Sequence, residues 1–337
     1  MKIFPNKTFL IAEVGLNHMG NFKLAKRYIA EFSKTGVNAI KFQAHMPDYE
    51  SSSQEKFRVH FSKKYKNRFD YWKKTSFNKK QWRQLFYFAK KKKIFFGVSV
   101  FSEEALELFD NGKYLDFIKI PSGETNTIPL LEKISKLKKY TIISTGLSNW
   151  REINNLTKIF TNRKKTSFLQ CTSKYPTKLN EVGFNVIDKI KKKYNYKSGL
   201  SDHSGNISSS LYAIFQKIDF LEFHVKLNSK GNFPDKQISL TLEETKFITR
   251  VRKDFQTLQN PVDKNQIYKN LLSVKKMFGK SLALKEDIFK NHVIKLKDLT
   301  LKKPGIGINQ KDIKKILNKK AKKNLKKNNI LSYSDFY

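Results

Sequence analysis

The stretch Gly199-Leu200-Ser201-Asp202-His203-Ser204-Gly205, read together with His224, decides the fold class of this chain. Each histidine closes a short apolar run of strand character, 198–202 and 220–224, and an amphipathic segment, 206–217, lies between the two. Strand, helix, strand makes a parallel unit, and in such a unit both strand ends point to the same face of the sheet. Two imidazoles can therefore converge there, as a divalent metal site requires.

Outward from this unit the same beat repeats. Runs 8–14, 39–43, 94–100, 115–120, 140–145 and 166–171 read as six further strands, and 219–226 contains the eighth. Helical patterns follow at 21–34, 78–93, 102–111, 126–137, 149–160, 181–193 and 206–217. A last long helix, 241–256, opens with Thr241 and Glu244 as a capping box. Eight strand–helix units are the arithmetic of an α/β fold, a (β/α)8 TIM barrel. The alternative, a doubly wound open sheet, more often carries a Gly-rich phosphate fingerprint after its first strand, and Gly15 to Gly20 does not match one. The aromatic, basic stretch 46–77 reads as a long loop insert with a little helix. Residues 1–258 form the barrel, 259–279 a polar linker with room for a short helix, and 280–337 a small β-rich domain with little core of its own. Within that domain 281–284, 293–295 and 299–302 read as strands and 310–317 as a short helix.

Composition narrows the function. The chain has 337 residues with 28 Phe and 14 Tyr, enough for a real core. No apolar run approaches the ~20 residues that cross a bilayer, and the N-terminus lacks the long apolar stretch of a signal peptide. The single cysteine, Cys171, excludes a disulfide framework and a thiolate metal cluster. A cytoplasmic protein is expected. The net charge of +39 points toward nucleic acid. Against that, the lysines are scattered along the whole chain and outnumber arginines, whereas base and phosphate recognition favours Arg. Together with abundant Asn, Ile and Phe, they look like the drift of an AT-rich genome.

Barrels place their chemistry at the C-terminal ends of the strands. The polar residues there are Glu13 with Asn17 and His18; Lys41, Gln43 and His45; Ser99 and Ser102; Lys119, Ser122 and Glu124; and Ser144 and Thr145. Strands six to eight add Thr172, Ser173 and Tyr175; Ser201, Asp202 and His203; and His224. Lys41 and Lys119 interrupt otherwise apolar strands. A lysine there is costly unless it meets an anion, either a substrate or a core carboxylate such as Glu13 or Glu124. Ser102, Thr145 and Asn126 serve equally well as helix caps, His18 and His45 as hydrogen-bonding scaffold, and Cys171 as a small core residue. His203 and His224 are the pair suited to a metal with open positions.

The chain resembles the sialic acid synthases. The motifs are Ile11-Ala12-Glu13-Val14-Gly15-Leu16-Asn17-His18 with Gly20, Lys41-Phe42-Gln43, Lys119-Ile120-Pro121-Ser122-Gly123-Glu124 and Ser144-Thr145-Gly146. Further on stand Cys171-Thr172-Ser173 with Tyr175-Pro176-Thr177, Gly199 to Ser204, and Leu221-Glu222 with His224. Lys303-Pro304-Gly305 with Gly307 looks like the family's C-terminal antifreeze-like (SAF) domain. The resemblance implies a transferase of carbohydrate biosynthesis that condenses phosphoenolpyruvate with an N-acetylated hexosamine to a nine-carbon 2-keto acid. It implies Mn or Mg on His203 and His224. Lys41, Ser99, Lys119, Ser122, Ser144, Ser173 and Ser201 match the shell around phosphoenolpyruvate. Gln43, Glu124, Tyr175 and Asp235 match positions facing the sugar, and Glu13 matches a carboxylate that handles protons. A homodimer is implied in which each small domain covers the other barrel, bringing Lys303 to the sugar's acyl group. The family carries Arg there, and Lys cannot make the same bidentate contact. Ser173 stands where some members have Asn. The acceptor is open between N-acetylmannosamine, its 6-phosphate, and a 2,4-diacetamido-trideoxyhexose leading to legionaminic or pseudaminic acid. Related keto-sugar-acid synthases without the tail are a rival reading, as is a basic nucleic-acid-binding protein.

Overall fold

The computed structural model describes residues 7–57, 64–227 and 230–337, so 1–6 of the expected non-signal start and 58–63 of the insert lie outside the described residues. Eight parallel strands form in chain order: β1 (Phe9–Gly15), β2 (Ala39–Ala44), β3 (Phe95–Val100), β4 (Phe117–Ile120), β5 (Tyr140–Ser144), β6 (Thr166–Cys171), β7 (Lys197–Asp202) and β8 (Phe220–Val225). Each pairs with the next, and β8 pairs with β1 in the register Phe9↔Phe220 to Glu13↔His224, which closes the barrel. A two-residue strand, Ser239–Leu240, adds to β8 before the last long helix, Leu242–Leu258. The open doubly wound sheet is thereby excluded.

Side-chain alternation explains how closure builds a site. Phe9, Ile11, Ala39, Phe117, Tyr140, Ile142, Leu169 and Phe220 share one buried cluster inside the barrel. The alternate residues, Leu10, Ala12, Val14, Ile40 and Phe42 among them, join a second cluster with the helices. Because side chains on a strand alternate with period two, the inward residue after Ile11 is Glu13, after Ala39 Lys41 and after Phe117 Lys119. By the same count Ser144 follows Ile142, Cys171 follows Leu169 and Glu222 follows Phe220. The interior is thus apolar at the N-terminal ends of the strands and polar at the C-terminal ends. Burying each large floor side chain contributes about 1.5–3 kcal/mol, which anchors the strands that carry the polar layer.

Helix starts follow their caps. Asn78 with Gln81, Asn149 with Glu152 and Thr241 with Glu244 form reciprocal capping boxes. Among its described residues the insert carries the helices Pro47–Glu50 and Arg68–Thr75.

Contacts divide the chain into 1–259 and 260–337. The stretch expected as a linker carries two helices, Lys264–Asn270 and Leu272–Phe278, and belongs to the second unit. That unit has one antiparallel pair, Ser281–Leu284 with Leu299–Lys302. Two local expectations are corrected there. Residues 293–295 make only an isolated bridge, Val293↔Lys320, and the helix at 310 is a 3-10 turn, Gln310–Lys315. The unit also has a core of its own, including Leu282, Leu284, Ile294, Ile308, Ile316, Leu325, Leu331 and Phe336. Most of these residues come from turns and bridges, so no periodicity announces them.

Gly97 on β3 has no room for a side chain: a Cβ would stand 2.1 Å from the Phe117 ring. Gly97→Ala is therefore expected to lower stability by about 1–3 kcal/mol through overpacking. Urea unfolding of the intact chain checks this, and a midpoint equal to that of the parent protein would refute the packing account.

Candidate active site

Two lysines and two glutamates form three ion pairs at the barrel mouth. Lys41 Nζ stands 2.6 Å from Glu13 Oε2 and 3.7 Å from Glu222 Oε1, and donates to Ser99 Oγ at 2.7 Å. Lys119 Nζ reaches both oxygens of Glu222 at 2.8 Å. Ser201 donates to Glu222 Oε1 at 3.0 Å, and Gln43 Nε2 donates to Glu13 Oε1 at 3.1 Å. All four charged groups are buried. Burial raises the Glu222 carboxyl, but the Lys119 and Lys41 ammonium groups outweigh it and bring it down to about 2. Burial lowers Lys41, yet Glu13 and Glu222 together leave it raised. For Lys119 burial prevails over Glu222, with Lys41 adding to it, and the amine is lowered. The two lysines thus differ in how firmly they hold their protons, although both face the same carboxylate.

The histidines stand beside this network. His203 follows β7 and His224 lies on β8, with ring centroids 5.4 Å apart. His203 Nδ1 lies 3.0 Å from the Thr172 carbonyl oxygen, to which it donates. Tyr175 stacks on the His203 ring at 4.2 Å, its hydroxyl 3.1 Å from Nε2. Cys171 Sγ lies 3.5 Å from His203 Nδ1. His224 Nδ1 is buried with no hydrogen-bond partner, and Asp235 Oδ2 lies 3.5 Å away. Gly15, with φ of 56°, makes room for that carboxylate: a Cβ there would stand 2.8 Å from Asp235 Oδ2. Two imidazole rings this close on one barrel mouth suit a divalent ion. Among the described residues no group of three or more His, Cys, Asp and Glu side chains forms a ligand cluster.

A cavity of about 360 Å³ gathers most of the residues singled out from the sequence. Glu13, Lys41, Gln43, Ser99, Lys119 and Ser122 line it, and so do Glu124, Ser144, Ser173, Tyr175, Ser201, His203 and His224. Ser122 Oγ accepts from the Gly146 N–H at 3.0 Å, and Ser144 Oγ is buried without a partner. Asp235 lines an adjoining cavity that shares Gln43, Tyr175 and His224 with the first. Lys303 belongs to the second unit, where its ammonium lies 5.3 Å from the Phe278 ring centroid.

Sequence reasoning left Glu222 without a role, yet it is the counter-ion of Lys119. Its signal was present, since it sits two residues before His224 on the same inward column of β8. It also missed Glu50, Glu55, Arg68 and Trp72, which come from the irregular insert and line the cavity. No periodicity marked them. The lysines themselves meet core carboxylates, with Glu13 as one anticipated partner and Glu222 in place of Glu124.

A family model described as the NeuB family matches residues 28–263, and a SAF domain model matches 279–336. The chain belongs to the NeuB family. The N,N'-diacetyllegionaminic acid synthase of Campylobacter jejuni is 32% identical over 335 residues, spanning 96% of this chain and 99% of that protein. The N-acetylneuraminate-9-phosphate synthase of Homo sapiens is 30% identical over 305 residues, spanning 87% and 82%. Among solved structures, the N-acetylneuraminic acid (sialic acid) synthetase of Leptospira borgpetersenii, in complex with citrate, superposes with a TM-score of 0.66 at 26% identity. That match covers 80% of this chain and 93% of the Leptospira chain. The NeuB-family reading carries the (β/α)8 barrel and the small C-terminal domain together.

The buried ion pairs make a stability prediction. Lys119→Met leaves the Glu222 charge buried with less compensation, and such a loss costs about 3–5 kcal/mol. Denaturant unfolding at neutral pH measures it. The pH dependence has a definite sign. The Glu222 carboxyl is depressed in the folded state, so its contribution is complete above the unfolded value and is lost as pH falls from roughly 4.3 toward about 2. Glu222→Gln should remove this acid-range slope, and an unchanged slope would contradict the pairing.

Proposed function

We propose that this chain condenses phosphoenolpyruvate with an N-acetylated hexosamine, giving a nine-carbon 2-keto sugar acid and phosphate. The observation that carries the reading is the convergence of two lysines, a set of serine hydroxyls and two imidazoles on one barrel mouth. Phosphoenolpyruvate is a compact trianion. Lys41 and Lys119 offer it ammonium groups, and Ser99, Ser122, Ser144, Ser173 and Ser201 offer hydroxyls. Because Glu13 and Glu222 already hold the lysines, the substrate meets cations fixed in place and binds by competing with their internal partners.

His203 and His224 would hold a Mn or Mg ion, and the 5.4 Å between their ring centroids and the unpartnered Nδ1 of buried His224 support that assignment. When bound, such an ion supplies a Lewis acid at the acceptor's aldehyde oxygen. The chain's own groups do the rest. The lysines and serines hold the enol so that its methylene carbon faces the aldehyde carbon, and a C–C bond forms between them. Positive charge develops at the former enol carbon, and a water adds there. Glu13, held between Lys41 and Gln43, takes the proton from that water. The resulting tetrahedral centre expels phosphate by C–O cleavage and leaves the ketone.

Gln43, Glu124, Tyr175 and Asp235 are assigned to the sugar side. Lys303 belongs to this reading as the acyl-group contact in a homodimer with exchanged small domains, an assignment supported by the family resemblance. Among the described residues no helix is long and apolar enough to cross a membrane. Phosphoenolpyruvate is a cytoplasmic metabolite, so the reaction is assigned to the cytoplasm.

The decisive measurement is phosphate release from phosphoenolpyruvate with a panel of 2-acetamido hexoses, with and without EDTA. Release is expected with at least one sugar and is abolished by EDTA; no release with any sugar would sink the reading. His224→Ala should lower turnover by on the order of a hundredfold or more, while phosphoenolpyruvate binding survives in part on the lysines. Full activity in that variant would remove His224 from the ligand set.

A further inference from the structure

Part of the cavity wall comes from the insert between β2 and β3. Glu50 ends the short helix Pro47–Glu50 and lines the cavity. Its side chain is 4% exposed, and its Oε1 lies 2.5 Å from His45 Nδ1. The other oxygen, Oε2, is buried and has no hydrogen-bond partner. The imidazole that holds it is itself fixed, stacked 4.2 Å from the Trp72 ring and 4.1 Å from the Phe101 ring. A carboxylate oxygen kept from water and unpaired is unfavourable by itself, so a donor arriving with a ligand recovers that deficit.

Two more carboxylates line the same cavity. Glu124 accepts from Thr127 Oγ1 at 2.6 Å, and burial, opposed by that hydrogen bond and aided by the Glu50 charge, raises its carboxyl. Glu55 is 2.7 Å from Arg68 Nη1. The Arg68 guanidinium, the cation that the insert's described residues place on this wall, also lies 4.5 Å from the Trp72 ring centroid, so its charge is already engaged. Glu50 and Glu124 thus give this wall an excess of negative charge inside a chain of net charge +39.

We propose that Glu50 determines acceptor specificity: its carboxylate takes a hydrogen bond from an N–H or O–H of the acceptor and, with Glu124, confines the acceptor to uncharged, unphosphorylated amide sugars. The proposal rests on the synthase reading above and narrows its acceptor. Like charges brought together in a shielded cavity exclude the wrong ligand more strongly than an added contact attracts the right one.

Calorimetric binding separates this proposal from the reaction itself. The probes are N-acetylmannosamine, a 2,4-diacetamido-trideoxymannose and N-acetylmannosamine 6-phosphate, each titrated into the intact chain with phosphoenolpyruvate absent. A neutral sugar is expected to bind at least roughly a hundredfold more tightly than the phosphate ester. Glu50→Gln should narrow that ratio roughly tenfold by admitting the ester, and Glu50→Ala should weaken the neutral sugar by about tenfold. The affinity for phosphoenolpyruvate, titrated separately, should change less than about twofold in both variants. Tighter binding of the ester by the parent protein, or no binding of either neutral sugar, overturns the proposal without need of a variant. Ratios unchanged in both variants overturn it as well. Neutral-sugar binding that depends on Glu50, without phosphate release in any assay, would sink the synthase reading and leave this one standing.

Discussion

The pairing of Lys119 with Glu222, and of Lys41 with Glu13, is the constraint on which the rest of this barrel depends. An ammonium or carboxylate buried alone costs several kcal/mol, so neither lysine is tolerable inside the strands without its partner. Glu13 reaches Lys41 from β1, the neighbour of β2, whereas Glu222 on β8 answers to Lys119 on β4 and to Lys41 on β2 from across the barrel. Only a closed barrel brings these strands face to face around one axis. Closure, core polarity and the placement of the functional groups are therefore one problem with one solution.

That solution also shapes the chemistry. A site proposed to receive a trianion would be expected to be strongly cationic, yet its two lysines are matched by two glutamates. The net charge of +39 is spread over the surface and does not describe the cavity. What the mouth offers instead is order. The ammonium groups have fixed positions and the hydroxyls are already oriented. Because these groups are placed before any substrate arrives, much of the electrostatic work is done in building the protein. The different shifts of Lys41 and Lys119 follow from how each one's burial balances against the carboxylates it faces.

How much of this was legible in the sequence depends on period. The eight strands were readable because each is short, largely apolar and separated from the next by a helix, and the observed boundaries fall close to those expected from pattern. The inward polar layer was readable from the rule that barrels act at strand C-termini. Glu222 was within reach of the same rule, because it shares a column with His224. Glu50, Arg68 and Trp72 were beyond reach, since the insert has neither a two-residue nor a 3.6-residue repeat and its residues meet the cavity only through tertiary packing. The core of the second unit was hidden for the same reason.

The register that pairs β1 with β8 has a consequence for how the chain is made. Synthesis proceeds from the N-terminus, and Glu222 lies 103 residues after Lys119. While the first seven strands leave the ribosome, Lys119 has no native counter-ion, and the inward edges of β1 and β7 have no neighbour. The eighth strand supplies the missing carboxylate, a missing imidazole and both missing hydrogen-bonded edges in six residues, Phe220–Val225. A barrel without β8 therefore lacks its closing hydrogen bonds and the Lys119 counter-ion together. The same short segment that completes the fold completes the site.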